Sequence, residues 1–264
     1  MRIRPLFPTV LLFIAALCGC AAHPPNPSFP LSRCVAKAEI EAMSSQPTAL
    51  ARPLIVLAGW LDPGFAVREM RDEMRRVVGD DRVLAVPFGS CKTFDDCRAR
   101  LIERVSEAFP HDDPRWTAEV DVIGISMGGL IARDAALERT DEKRLRIARL
   151  FTIATPHRGA AMASLPTFNR LQIDMRPGSA YLERVRSSAS TFAIYPYVRL
   201  GDAMVGPANA APDGTEAWWV PNGGLSFAHL FAHRDPRIVA DIARRLRDES
   251  PYARQPPTSL PRGH

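Results

Sequence analysis

Residues 54–58 read Leu-Ile-Val-Leu-Ala, apolar at every position and closed by Gly59. A strand with one wet face alternates apolar and polar side chains. A run with no polar position must be covered on both faces, so it belongs in a sheet held between layers of helix. The residues that follow meet that demand. Residues 65–78 carry Phe65, Met70, Met74, Val77 and Val78 at helical spacing, 82–88 reads as the next strand, and 93–109 reads as a helix. Thr93 is its expected N-cap, with Asp95 and Asp96 in the first turn. Residues 120–125 form a strand, 130–137 a helix and 150–154 another strand. Residues 192–200 make a weaker strand interrupted by Pro196, 218–220 a short one, and 237–246 an amphipathic helix. This alternation predicts one α/β domain over 33–250, with a mostly parallel central sheet flanked by helices. At 264 residues and 46% apolar content, the chain can bury one sizeable core.

The ends read differently. Arg2 and Arg4 precede an apolar stretch over 6–17 that is too short to span a membrane stably. It closes in Leu17-Cys18-Gly19-Cys20, which resembles the lipobox of bacterial lipoproteins. That resemblance implies a signal peptide over 1–19, a lipidated Cys20, and a protein anchored in a membrane of the bacterial envelope, facing the periplasm or the exterior. The competing reading is an ordinary secretory signal cleaved nearby. Residues 20–32 are Pro-rich and read as a tether, and 251–264, with Pro256, Pro257 and Pro261, as a disordered tail.

The net charge of +5 rests on 31 Arg and three Lys. The arginines alternate with acids, as in Arg71-Asp72-Glu73-Met74-Arg75, instead of forming a basic run. Nucleic acid is therefore not an expected partner. Cys34, Cys91 and Cys97 remain in the body, an odd number that permits one disulfide. Cys91 with Cys97 closes a short loop, and Cys34 with either is the alternative.

The sharpest local pattern is Gly124-Ile125-Ser126-Met127-Gly128, a G-x-S-x-G that ends the strand Val120-Asp121-Val122-Ile123 and opens a helix. A strand–turn–helix of this kind lifts a serine hydroxyl clear of the sheet, and the flanking glycines relieve crowding in the turn. Further on stands Thr155-Pro156-His157-Arg158-Gly159, directly after a strand. From about residue 53 to 247 the chain resembles the α/β-hydrolase family, particularly bacterial lipases and esterases and the inositol-deacylase-like hydrolases with their T-P-H-x-G segment. Ala58-Gly59-Trp60 stands where those families have His-Gly and an apolar residue, so Ala58 departs from the pattern.

The resemblance implies an α/β-hydrolase fold with a short cap or lid over 160–190, and a serine hydrolase of carboxylic esters that needs no cofactor and no metal. Ser126 is then the nucleophile. The backbone N–H groups of Met127 and Trp60 form the oxyanion hole, with Leu61 as the alternative to Trp60. Leu200-Gly201-Asp202-Ala203-Met204-Val205-Gly206-Pro207 resembles the family's acid loop, which implies Asp202 as the acid, with Asp213 as its competitor. Of six histidines, His229 matches the family spacing ahead of the last helix. His157 precedes both acids in the chain, and His233 reads as a solvated residue. His229 and His233 share an i,i+4 spacing but lack the glutamate of a zinc-protease helix. The expected partner is an acyl ester, including lipid, and the expected state is a monomer. Acyltransfer or thioester cleavage on the same residues, and a non-catalytic envelope binding protein, are the alternative functions.

Overall fold

The computed structural model of the chain describes residues 25–140, 142–222 and 227–263. The expected signal peptide and Cys20 lie outside the described residues. Six strands form one sheet: β1 (Leu54–Leu57), β2 (Val83–Val86), β3 (Trp116–Ile125), β4 (Arg144–Ile153), β5 (Ala193–Arg199) and β6 (Trp218–Val220). Their order is β2-β1-β3-β4-β5-β6, and every neighbouring pair is parallel. All four residues of β1 are fully buried, as its unbroken apolar run requires.

Among the described residues seven α-helices accompany the sheet: α1 (Arg33–Ser44), α2 (Phe65–Val78), α3 (Phe94–Ala108), α4 (Met127–Ala136), α5 (Arg170–Asp174), α6 (Ala180–Ser187) and α7 (Pro236–Leu246). They pack in two groups, α1 with α2 and α7, and α3 with α4 and α6. Thr93 caps α3 as expected, in a box where its hydroxyl accepts from Asp96 N–H and the Asp96 carboxylate accepts from Thr93 N–H. The segment expected as a cap, 160–190, holds a short 3-10 turn over 161–164, α5 and α6, of which α6 packs against α4. The first residues of this segment are tied to the acid loop, where Ala161 N–H donates to the Val205 carbonyl and Met162 N–H to that of Met204.

Pro196 sits inside β5, opposite Thr152 of β4. It is tolerated because β6 pairs with β5 only from Tyr197 onward. Tyr197 turns its carbonyl to β4, where Ala154 N–H donates to it, so the nitrogen of Pro196 faces the side with no strand opposite.

Three expectations need correction. The described part of the tether, 25–32, is not free: Asn26 and Phe29 are buried, and Asn26 Nδ2 donates to the Trp219 carbonyl at 2.8 Å. The tail is ordered against the same strand. Trp218 Nε1 donates to the Arg254 carbonyl and Trp219 Nε1 to that of Thr258, both at 2.9 Å, while Thr258 N–H donates to Ser28 Oγ. The clustered prolines keep these two segments out of the sheet, but the side chains between them still dock. Third, Cys34, Cys91 and Cys97 are all free thiols. Cys91 and Cys97 are hydrogen-bonded neighbours without a bridge. Burial pushes the Cys97 thiol well up, so the thiolate that bridging requires is disfavoured there.

Candidate functional site

β3 delivers Ser126 to the end of the sheet, and α4 begins at the next residue. The serine has φ 50° and ψ −121°, a backbone conformation that a side chain rarely adopts. Its neighbours hold it there. Ser126 N–H donates to the Ile153 carbonyl at 2.8 Å, and Thr155 Oγ1 donates to the Ser126 carbonyl at 2.8 Å. The glycines permit close approach. A Cβ on Gly124 would lie 2.5 Å from the Gly129 backbone, and one on Gly128 would lie 2.7 Å from the Leu57 carbonyl oxygen. The crowding the motif relieves is therefore between α4, its own strand and β1.

The other sequence-predicted residues converge on this hydroxyl. His229 Nε2 lies 3.0 Å from Ser126 Oγ, and His229 Nδ1 lies 2.8 Å from Asp202 Oδ2. The Asp202 side chain is fully buried, and its Oδ1 accepts from Met204 N–H and Val205 N–H, both at 3.0 Å. A carboxylate accepts, so Nδ1 carries the imidazole proton and Nε2 is left to accept from the serine. Gly59 stands directly beside the serine, where an added Cβ would come 3.3 Å from Ser126 Cβ. Its lack of a side chain lets the backbone entering Trp60 approach the hydroxyl, with Met127 on the other flank at the start of α4.

Asp213 is elsewhere, exposed and paired with Arg186 and Arg158. His157 is completely buried, with Nδ1 3.2 Å from Arg133 Nη1 and Nε2 3.1 Å from Thr152 Oγ1. Arginine only donates, so Nδ1 accepts and Nε2–H points at the threonine. Burial first, and then the Arg133 charge, hold this histidine well below its ordinary pKa and neutral. His233 is not solvated as expected. It is 5% exposed, with Nε2 3.6 Å from the Glu69 carboxylate, and burial lowers its pKa. The helical periodicity of α7 begins beyond His233, which hid its inward orientation. Thr155 is the supporting residue that sequence reasoning passed over; its place in Thr155-Pro156-His157 was the available signal.

A cavity of about 370 Å³ opens over Ser126. Trp60, Asp62, His229 and His233 line it together with Met162, Leu165, Met175, Met204, Val205 and Leu230, so its wall is mostly apolar. The sheet order sets its two sides: the loop after β1 flanks Ser126 on one side, and the loops after β4 and β5 on the other. Leu61, Phe65, Met162, Leu165, Phe168, Phe227, Leu230 and Phe231 stand exposed on the three segments that form its mouth. Among the described residues no cluster of three His, Cys, Asp or Glu side chains could hold a metal ion, and no helix is long and apolar enough to cross a membrane.

A family model for the PGAP1-like alpha/beta domain matches residues 96–177, the part that carries Ser126 and the Thr155-Pro156-His157 segment. Bacillus licheniformis lipase BlEst2 in its mature form superposes with a TM-score of 0.50 and 15% identity, covering 72% of this chain and 90% of that one. The metagenomic carboxyl esterase MGS0156 gives 0.51 and 15%, covering 76% and 77%. The chain has the α/β-hydrolase fold. Legionella pneumophila phospholipase PlaB, in complex with thio-NAD, shares it at a TM-score of 0.52 and 14% identity, covering 75% of this chain. The chain spans 58% of that phospholipase's length. No curated protein matches it in sequence.

Proposed function

We propose that the protein is a serine hydrolase of carboxylic esters, with Ser126 as nucleophile, His229 as general base and Asp202 as the group that orients it. The observation that carries this reading is the continuous hydrogen-bonded path from Ser126 Oγ through both His229 nitrogens to a buried Asp202, at 3.0 and 2.8 Å. Ser126 Oγ attacks the acyl carbon while its proton passes to His229 Nε2. The oxyanion that forms accepts from the backbone N–H groups of Met127 and Trp60. The bond to the alcohol breaks as His229 returns the proton to the leaving oxygen. Water, deprotonated by His229, then attacks the acyl-serine and releases the acid. Asp202 keeps the proton on Nδ1 throughout and stabilises the imidazolium.

The apolar wall of the cavity suits an acyl chain, and the named lipase, esterase and phospholipase neighbours support an ester substrate. On the lipobox-like Leu17-Cys18-Gly19-Cys20 we place the protein in the bacterial envelope, anchored through Cys20. The deciding experiment is labelling with a fluorophosphonate beside a series of acyl esters graded by chain length. Labelling at Ser126, lost in Ser126→Ala together with hydrolysis, is the expected result. An unreactive Ser126 would leave a binding protein on a hydrolase fold. Transfer of the acyl group to an added alcohol in preference to water would make it an acyltransferase.

A further inference from the structure

Large apolar side chains are exposed singly on most protein surfaces, but here they are gathered. Among the described residues nine are exposed, and all but Val35 lie in or next to the chain segments that line the Ser126 cavity. They come from segments far apart in sequence: the turn after β1, the cap, and the loop that carries His229. Phe168 is fully exposed, and Phe65 and Phe227 are 73% and 68% exposed. Met162, Leu165 and Leu230 are exposed and also line the cavity that holds Ser126, so the apolar surface reaches into it. A rim of this kind is a docking surface.

Its position selects the occupant. A folded partner or a second copy seated on the rim would plug the mouth. A lipid surface covers the rim and supplies the ester in the same phase. Charge agrees with this choice at Arg68, whose guanidinium lies over the Phe65 ring, 5.6 Å from its centre; the Arg234 guanidinium over Phe231 is held by the Glu69 carboxylate at 2.6 Å. A cation beside an outward aromatic ring fits the boundary between phosphate headgroups and acyl chains. We propose that the rim seats the mouth of the cavity on a phospholipid surface and that the substrate is an acyl ester drawn from it. The substrate half of this proposal rests on the ester-hydrolase reading; the docking half stands on the rim alone.

The test uses full-length protein in which every form carries Cys20→Ser, so that no acyl chain on that residue contributes and any effect of the N-terminus is shared. Vesicles of phosphatidylcholine with one-fifth phosphatidylglycerol are titrated with the Ser126→Ala form and with the same form carrying Phe65→Ser, Phe168→Ser and Phe227→Ser. The three phenylalanines lie outside the cavity wall. A tenfold or greater loss of vesicle affinity is expected. In the Ser126 background the triple variant should lose hydrolysis of a vesicle-embedded ester to the same extent, while kcat/KM for a water-soluble butyrate ester stays as in the parent. Equal vesicle affinity with and without the phenylalanines overturns the proposal. So does a parallel fall on both esters, or a parent dimer that the triple substitution dissociates. Docking without hydrolysis of either ester, and without fluorophosphonate labelling, sinks the hydrolase reading and leaves the lipid-docking surface standing.

Discussion

Asp202 holds His229 with one carboxylate oxygen and its own loop with the other. Oδ2 takes the imidazole Nδ1 at 2.8 Å, and Oδ1 takes the Met204 and Val205 amides at 3.0 Å each. The carboxylate cannot swing toward the ring or away from it without breaking its own turn. In Asp202→Asn the amide can keep the turn but presents a donor or the wrong acceptor to His229. Turnover should fall about 10³- to 10⁴-fold with the melting temperature nearly unchanged. Asp213→Asn, which only trims exposed ion pairs with Arg186 and Arg158, should change turnover less than twofold. Steady-state kinetics beside thermal melts would show both, and comparable turnover in Asp202→Asn and wild type would remove Asp202 from the mechanism.

Ser126→Ala and His229→Ala should each cost roughly four to six orders of magnitude in kcat, and the double variant little more, since the two act as a unit. His157→Ala should behave in the opposite way. It empties a fully buried site and strips Arg133 of an acceptor, so about 2–4 kcal/mol of stability is lost. The folded fraction should turn over at nearly the wild-type rate. Urea titration combined with active-site labelling separates the two effects.

Asp80 gives a pH-dependent prediction. Its carboxylate accepts from Arg82 and from the Leu50 and Arg82 backbone N–H groups, which lowers its pKa from 3.8 to about 2, with the Arg82 side chain as the leading cause. A depressed carboxylate stabilises the fold above its unfolded pKa, and that stability is lost as pH falls from about 4 through about 2. Arg82 is half exposed, and screening by solvent leaves about 1 kcal/mol of this shift as stability. Asp80→Asn should therefore destabilise the protein by about that amount at pH 7 and by progressively less below pH 4. A difference that stayed constant down to pH 2 would contradict the assignment.

The packing of Asn26 shortens the proposed leash. Only five residue steps separate Cys20 from Pro25, so the body hangs at most about 18 Å from an acylated Cys20, at about 3.6 Å per residue. The protein should fractionate with membranes and come off in detergent, not in high salt, because acyl chains contribute about 0.8 kcal/mol per buried CH₂. Cys20→Ser should leave a precursor or a soluble form with intact hydrolase activity. Mass spectrometry should find the mature N-terminus at an acylated Cys20; an unmodified start beyond Cys20 would remove the anchor.

The parts of this molecule that were legible in the sequence are those whose causes are local. β1 announces itself because five consecutive apolar residues have no other use, and Thr93 announces α3 because a cap acts within one turn. Ser126 stood out by its G-x-S-x-G turn, and the family resemblance pointed to Asp202 and His229, which the structure brings together with it. α1 was missed although Ala36, Ile40 and Met43 repeat at helical spacing and its Ala and Glu residues favour a helix. The inward turn of His233 depends on Glu69, and the docking of Asn26 depends on Trp219, nearly two hundred residues away. No local pattern encodes a partner at that distance.

Those distant partners matter beyond the termini themselves. β6 is the outermost strand of the sheet, and an outermost strand shows unpaired backbone groups that invite pairing by a foreign chain. Here it is only three residues long, its outward Trp219 carbonyl is taken by Asn26, and residues 254–259 are clasped to its two indoles. Asn26 and residues 254–259 thus act as a guard on the sheet's open flank. Cutting away residues 251–264, or replacing Asn26, removes no contact of Ser126, Asp202 or His229 but uncovers a template for strand addition, so the first symptom should be self-association instead of lost chemistry.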